Sequence, residues 1–240
     1  MSSVIEFSTV LKSYAGRTVL DQVDFDVVAG HCHALVGVNG AGKTTCIKSL
    51  LDFVSIDAGE IRISGKIHTS PGARQPLAFL PERFLPPYHL TGGEFLRYMS
   101  NLHGQPLSQQ VLEQTLADLD LDPQVLTRPA REYSKGMAQK LGLAACLSSG
   151  KDLFVLDEPM SGLDPKARAL VKIRLAALRD EGRSFFFSTH VLADVEAICD
   201  RMAILHSGRI RFLGSPEECC ERYDKTDLES AYLACLDDNC

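Results

Sequence analysis

Two stretches of the 240-residue chain hold residue types at the spacing that phosphate chemistry requires. The first, Gly37-Val38-Asn39-Gly40-Ala41-Gly42-Lys43-Thr44, fits G-x-x-x-x-G-K-[ST]. Glycines there let the backbone curl so that successive N–H groups face phosphate oxygens, and a following helix adds its positive end. Lys43 then reaches the β- and γ-phosphates, and the Thr44 hydroxyl ligates Mg²⁺. The second stretch, Leu153-Phe154-Val155-Leu156-Asp157-Glu158, is an apolar run that delivers two carboxylates at its end. Asp157 is placed to hold Mg²⁺ through its water shell, and Glu158 to polarise a water beside the γ-phosphate. An acidic pair at a strand end is common on protein surfaces, and its position after a phosphate loop is what favours the catalytic reading. The loop by itself does not choose among kinases, GTPases and motor or transport ATPases.

Positioning these groups takes alternating strands and helices. His31-Cys32-His33-Ala34-Leu35-Val36 is a short apolar run ending at Gly37, and residues 43–53 carry Ile47, Leu50 and Leu51 at helical spacing. Glu60-Ile61-Arg62-Ile63 alternates like a half-buried strand, and residues 77–80 form another short strand. From Thr91, an N-cap with Glu94 three residues on, the pattern turns helical and continues through residues 107–121 and 135–147. Strand signals return at residues 153–156 and 185–188, with a helix over 165–179 between them. Residues 202–205 and 209–213 flank Ser207-Gly208 as a hairpin. Continuous apolar strands alternating with helices predict a parallel sheet covered on both faces.

The composition supports a folded module. Hydrophobic residues make up 45% of the chain and charged residues 23%, which excludes a disordered or collagen-like protein. No stretch approaches the roughly 18 consecutive apolar residues of a membrane-spanning helix, and the first residues lack the pattern of a secretion signal. A net charge of −6 argues against broad nucleic-acid binding. The eight cysteines, several isolated in apolar segments, read as reduced thiols. His31 and His33 share one strand face while Cys32 points to the other, so structural roles are favoured over a metal. Cys219, Cys220, Cys235 and Cys240 lack paired C-x₂-C knuckles and also read as plain thiols.

At this point the chain resembles the ATP-binding cassette (ABC) ATPases over nearly its whole length. Glu158-Pro159-Met160-Ser161-Gly162-Leu163-Asp164 is similar to the end of that family's Walker B strand running into its D-loop. Ser188-Thr189-His190 resembles the family's switch histidine, which contacts the γ-phosphate. Tyr14 resembles the aromatic that stacks on adenine, although a tyrosine at such a place also serves in packing. Tyr133-Ser134-Lys135-Gly136-Met137 stands where the family signature, commonly Leu-Ser-Gly-Gly-Gln, precedes a helix. Only the serine and the second glycine of that form are kept. Ser134 can donate its hydroxyl to a γ-phosphate, Gly136 leaves room for backbone contact, and Lys135 adds positive charge. This variant resembles ABC-2-type exporter members. Glu82 occupies the Q-loop glutamine position; its carboxylate can ligate Mg²⁺, or it is a solvated loop residue.

The resemblance implies a P-loop NTPase (RecA-like) α/β core with an antiparallel β subdomain. An α-helical subdomain is inserted at about 83–150, and a short tail follows at about 215–240, all within one nucleotide-binding domain spanning 1–240. It implies a head-to-tail homodimer. ATP would lie between residues 37–45 of one copy and 134–136 of the other, with Asp164 near the dimer axis. With one phosphate loop and one signature, the chain completes a site only with a second cassette. Transport then requires a separate membrane permease subunit, which would hold the chain peripherally on the cytoplasmic face. Phe84-Leu85-Pro86-Pro87-Tyr88 offers apolar surface for it, or packs into the core. The tail Asp227-Leu228-Glu229-Ser230-Ala231-Tyr232-Leu233 resembles an element of exporter cassettes or is an ordinary amphipathic helix. The competing function is a soluble ABC ATPase acting on nucleic acid or the ribosome. Such proteins usually carry two cassettes or a long coiled-coil insertion, neither of which is found here. A phosphate-loop kinase is made remote by the signature, D-loop and switch histidine together.

Overall fold

Strands that are apolar on both faces must be covered on both, and the computed structural model, which describes residues 2–105 and 108–238, is built around three of them. From the N-terminus, β1 (Ser3–Tyr14), β2 (Arg17–Val28) and β3 (Cys32–Val36) lead to α1 (Lys43–Leu50). Then come β4 (Ala58–Ile63), β5 (Lys66–Ile67) and β6 (Leu77–Leu80), followed by α2 (Gly92–His103), α3 (Gln109–Asp118) and α4 (Lys135–Leu147). After them run β7 (Leu153–Asp157), α5 (Pro165–Asp180), β8 (Ser184–Thr189), α6 (Leu192–Ile198), β9 (Arg201–His206) and β10 (Arg209–Gly214). α7 (Pro216–Arg222) and α8 (Leu228–Asp237) close the chain. Every residue of β3, β7 and β8 is buried.

These three strands lie inside a six-stranded sheet of order β10-β9-β3-β8-β7-β6. It is parallel throughout except for β10, which returns antiparallel on β9. The register pairs Val36 with Thr189 and Asp157 with Ser188, so the loops after β3, β7 and β8 emerge side by side. That end of an open α/β sheet is where ligands bind. The expected parallel core is therefore present, and it brings together motifs more than 100 residues apart.

The second sheet, β2-β1-β4-β5, is antiparallel. Its inward Ile5, Phe7, Val10, Phe25, Ile61 and Ile63 share one core with Cys46, Ile47 and Leu50 of α1, and with Val155 and Phe186. The helix that follows the phosphate loop is thus clamped between two sheets. Phe185 and Phe187, on the opposite face of β8, belong to a separate core with α4 and α5, as the period of two along a strand requires. Phe154 stacks on Phe185 with ring centroids 4.9 Å apart.

Helices α2–α4 fall between β6 and β7. α2 starts with the capping box expected at Thr91, whose hydroxyl accepts from Glu94 N while Glu94 accepts from Thr91 N. Two helices are shorter than their apolar spacing predicts. α1 ends at Leu50 rather than residue 53, because Asp52 adopts a left-handed φ of 62°. α3 covers 109–118 rather than 107–121: Ser108 caps its start through Val111 N, and Asp120 at φ 50° follows its end. Leu107 lies outside the described residues, as does Cys240. No disulfide joins any two of the seven described cysteines.

His33 in β3 is fully buried, and neither of its ring nitrogens has a hydrogen-bond partner. Burial, with the Arg201 cation adding to it and Asp26 opposing, lowers its pKa to about 3. The unfolded chain therefore takes up a proton below about pH 6.5 that the folded chain refuses. The stability this group contributes is complete above pH 6.5 and declines as the pH falls toward 3, by about 1.4 kcal/mol per unit. Urea titrations at pH 7 and pH 5 should show a loss of about 2 kcal/mol in the native chain. That loss should be absent from His33→Phe, and an equal loss in both would contradict the assignment.

Candidate functional site

The loop after β3 wraps over the start of α1. Gly42 sits at φ +114°, and a Cβ there would lie 2.9 Å from Val19 O, so only glycine lets the loop approach β2 this closely. Lys43 is buried, its ammonium donating to Gly37 O at 2.6 Å and Val38 O at 3.3 Å. It also stands 3.5 Å from Glu158 Oε1. Loop carbonyls and this carboxylate together satisfy the lysine.

Asp157 and Glu158 are held by Ser188, the residue opposite Asp157 in the register. The Ser188 hydroxyl donates to Asp157 Oδ1 at 2.5 Å and accepts from Glu158 N at 3.0 Å. Glu158 leaves the strand at φ 48°, a left-handed conformation that costs energy for a residue with a Cβ and persists where surrounding contacts enforce it. This turn aims the side chain across the end of the sheet. There Oε1 bonds His190 Nδ1 at 2.9 Å. The Glu158 side chain is 12% exposed, that of His190 50%.

Burial pushes the Asp157 carboxyl above the usual range. Hydrogen bonds from Ser188 and Thr44 oppose that rise, and the charges of Glu82 and Glu158 add to it. The three carboxylates thus form a cluster whose members feel one another's charge. Its donors, the Thr44 hydroxyl and the Asp157 and Glu82 carboxylates, are hard oxygens suited to Mg²⁺. Among the described residues no three His, Cys, Asp or Glu side chains form a chelating group.

A cavity of about 470 Å³ opens above this cluster, lined by Val38, Asn39, Gly40, Gly42, Lys43, Thr44, Thr45, Glu82, Glu158 and His190. Val19 and Ser161 line it too. Gly37 and Ala41 are buried beneath the loop. Tyr14 is not among the lining residues; it sits at the β1–β2 turn, 44% exposed, with Lys12 Nζ 5.3 Å from its ring. Ser134, Gly136 and Asp164 line a different recess of about 230 Å³, which shares no residue with the first. Ser134 Oγ caps α4 by accepting from Met137 N, and Asp164 caps α5 by accepting from Ala167 N. Lys135 Nζ points to Ser161 Oγ at 3.3 Å. Within one chain, therefore, the signature residues do not reach the phosphate cavity.

Val19, Ser161 and Ser188 were not singled out by residue type. Ser161 and Ser188 had a signal in the quoted motifs, Ser188 as the residue before Thr189-His190, but its partnership with Asp157 depends on strand register. The Phe84–Tyr88 stretch divides: Phe84 packs on Phe95 at 5.5 Å and Pro86 is buried, while Leu85 and Tyr88 are 68% and 62% exposed. In the tail, Cys219 and Cys235 join the core beside Leu228 and Ala231.

The family model described as ABC transporter matches residues 20–161, from β2 through the phosphate loop and the signature to Ser161. This chain belongs to the ABC transporter family. Over 203 residues it is 38% identical to an uncharacterized ABC transporter ATP-binding protein of Synechocystis, covering 83% of this chain and 57% of the relative. A Nod factor export ATP-binding protein of Burkholderia orbicola is 35% identical over 95% of this chain and 76% of its own length. A solved ATP-binding subunit of an ABC transporter superposes with a TM-score of 0.88 at 30% identity, covering 97% of this chain and 99% of that one. The chain spans a little over half the length of the cyanobacterial relatives, 57% and 58%. The α/β P-loop fold of this ABC chain matches that of the solved subunit, and no helix among its described residues is long and apolar enough to cross a membrane.

Proposed function

We propose that this chain binds and hydrolyses ATP as the motor subunit of an ABC membrane transporter of exporter type. It would act as a head-to-tail homodimer on a separate membrane permease, without nucleic acid as a partner, held peripherally at the cytoplasmic face. The observation that carries the reading is Glu158, turned by its left-handed backbone into hydrogen-bond contact with His190 and to within 3.5 Å of Lys43. A γ-phosphate bound at Lys43 would displace the loop carbonyls from its ammonium and come to rest beside a carboxylate already oriented by a histidine.

Each group then has a task in this reading. The backbone of residues 37–45 and Lys43 cradle the phosphates. Thr44, Asp157 and Glu82 would hold Mg²⁺, which supplies positive charge to the β- and γ-phosphate oxygens. Glu158 accepts the proton of the attacking water, and His190 orients Glu158 and meets the γ-phosphate. Tyr14 is offered for adenine stacking on the strength of its position before β3 alone.

The signature recess supports the paired arrangement. Ser134 and Gly136 stand apart from the phosphate cavity of their own chain, so they would complete the site of a second copy, with Asp164 beside the seam. ATP would thus be part of the interface, and loss of the γ-phosphate would release the halves. Similarity to export ATP-binding proteins supports the exporter assignment, and nothing specific favours a role on nucleic acid or the ribosome. Affinity purification of the chain from its native membranes should recover a protein with several membrane spans. Recovery with ribosomes or DNA in its place would overturn the proposal.

A further inference from the structure

The start of α4 is bound to the segment that leaves β7 by three contacts within one chain. Lys135 Nζ donates to Ser161 Oγ at 3.3 Å. Its stem crosses Gly162, where a Cβ would lie 3.1 Å from both Cδ and Cε. Gly162 is held at φ +76°, so the chain bends away beneath the lysine and has no side chain to obstruct it. Four residues on, the buried Gln139 donates from Nε2 to Pro159 O at 3.0 Å. Pro159 follows the strained Glu158, and Ser161 lines the phosphate cavity beside Glu158 and His190. One face of α4 therefore grips both ends of residues 159–162, and the gripped segment forms part of the wall of that chain's own cavity.

We propose that Lys135 is a positioning residue for residues 161–162 of its own chain, coupling that chain's phosphate cavity to the signature it presents to its partner. The inference rests on the paired-site reading above and deepens it. An ammonium this close to the signature serine also invites direct contact with the phosphate of the partner's site. The two roles differ in which site loses activity. Lys135 acting within its chain affects hydrolysis at its own Lys43 and Glu158. Lys135 touching the partner's phosphate affects the other site. The stem resting on Gly162 and the aligned contact of Gln139 favour the first.

Pairs of two differently tagged copies, isolated in complex with the membrane subunit, separate these roles by single-turnover ATP hydrolysis. The baseline pair carries Glu158→Gln in one copy, leaving one live site. Adding Lys135→Met to the Glu158→Gln copy should leave the rate at baseline, because the live site belongs to the other chain. Placing Lys135→Met in the copy with the intact Glu158 should lower the rate about fivefold, with ATP affinity unchanged and Lys135→Arg restoring most of the loss. The reverse pattern would assign Lys135 to the partner's phosphate and overturn the proposal. Equal losses in both arrangements would mark a general weakening of α4 and also overturn it, as would no loss in either. Ser134→Arg added to the Glu158→Gln copy should abolish the baseline rate, and a rate that survives it would instead contradict the paired-site reading itself.

Discussion

Glu158→Gln should bind ATP as tightly as the native chain and turn it over about a thousandfold more slowly, within the range a lost general base produces. The substitution keeps the size and shape of the side chain, and the amide oxygen can still accept from His190 Nδ1. Lys43 keeps Gly37 O and Val38 O as alternative partners, so the phosphate cradle is unaffected. What disappears is a carboxylate able to take a proton from water. The consequence is an ATP-bound pair that closes and cannot reopen. Phosphate release and equilibrium nucleotide binding, measured on the same preparation, check both halves of this expectation. Hydrolysis within a few-fold of native would remove Glu158 from the role of base.

The second large effect is expected at Ser134. Its hydroxyl caps α4, and the recess it lines holds Gly136, Asp164 and Leu163 within about 230 Å³. Ser134→Ala loses the cap, costing roughly 1 kcal/mol of stability, together with one hydroxyl donor. Ser134→Arg adds a bulky guanidinium that fills the recess where a second copy's ATP would enter. It should abolish ATP-driven pairing and lower turnover to background, while the isolated chain still binds nucleotide through residues 37–45. The phosphate cavity shares no residue with this recess, which is why binding should survive. Sedimentation of the Glu158→Gln chain with ATP, with and without Ser134→Arg, reads the pairing directly.

Much of this site was legible in residue order, and the reasons are physical. The phosphate loop needs glycines and a lysine at fixed separations along a single turn, so its pattern is written locally. Asp157 and Glu158 announce themselves because a doubly buried strand cannot hide two carboxylates except at its end. Thr91 and Glu94 form the predicted capping box because both partners lie within one helical turn. Contacts set by strand pairing were not legible. Ser188 meets Asp157 only through the β7–β8 register, which involves residues 31 apart. Ser161 reaches the cavity only through a loop path that Lys135 and Gln139 help to hold. The left-handed residues Asp52 and Asp120 also went unread, since aspartate is compatible with continuing a helix, and each cut short a predicted one. Tyr14 marks a further limit: its reading came from position alone, and the cavity-lining side chain on that side is Val19.

If each nucleotide site is built from two chains, two chains inactive for different reasons should restore one another. Lys43→Ala and Ser134→Arg chains should each be inactive alone, one for want of a phosphate cradle and the other for want of a signature. In a mixed pair, one composite site carries both defects and the other carries neither. Single-turnover hydrolysis should therefore reappear on mixing, at one ATP per mixed pair. Mixed pairs that stay inactive, or a Ser134→Arg chain that hydrolyses ATP unaided, would contradict the account.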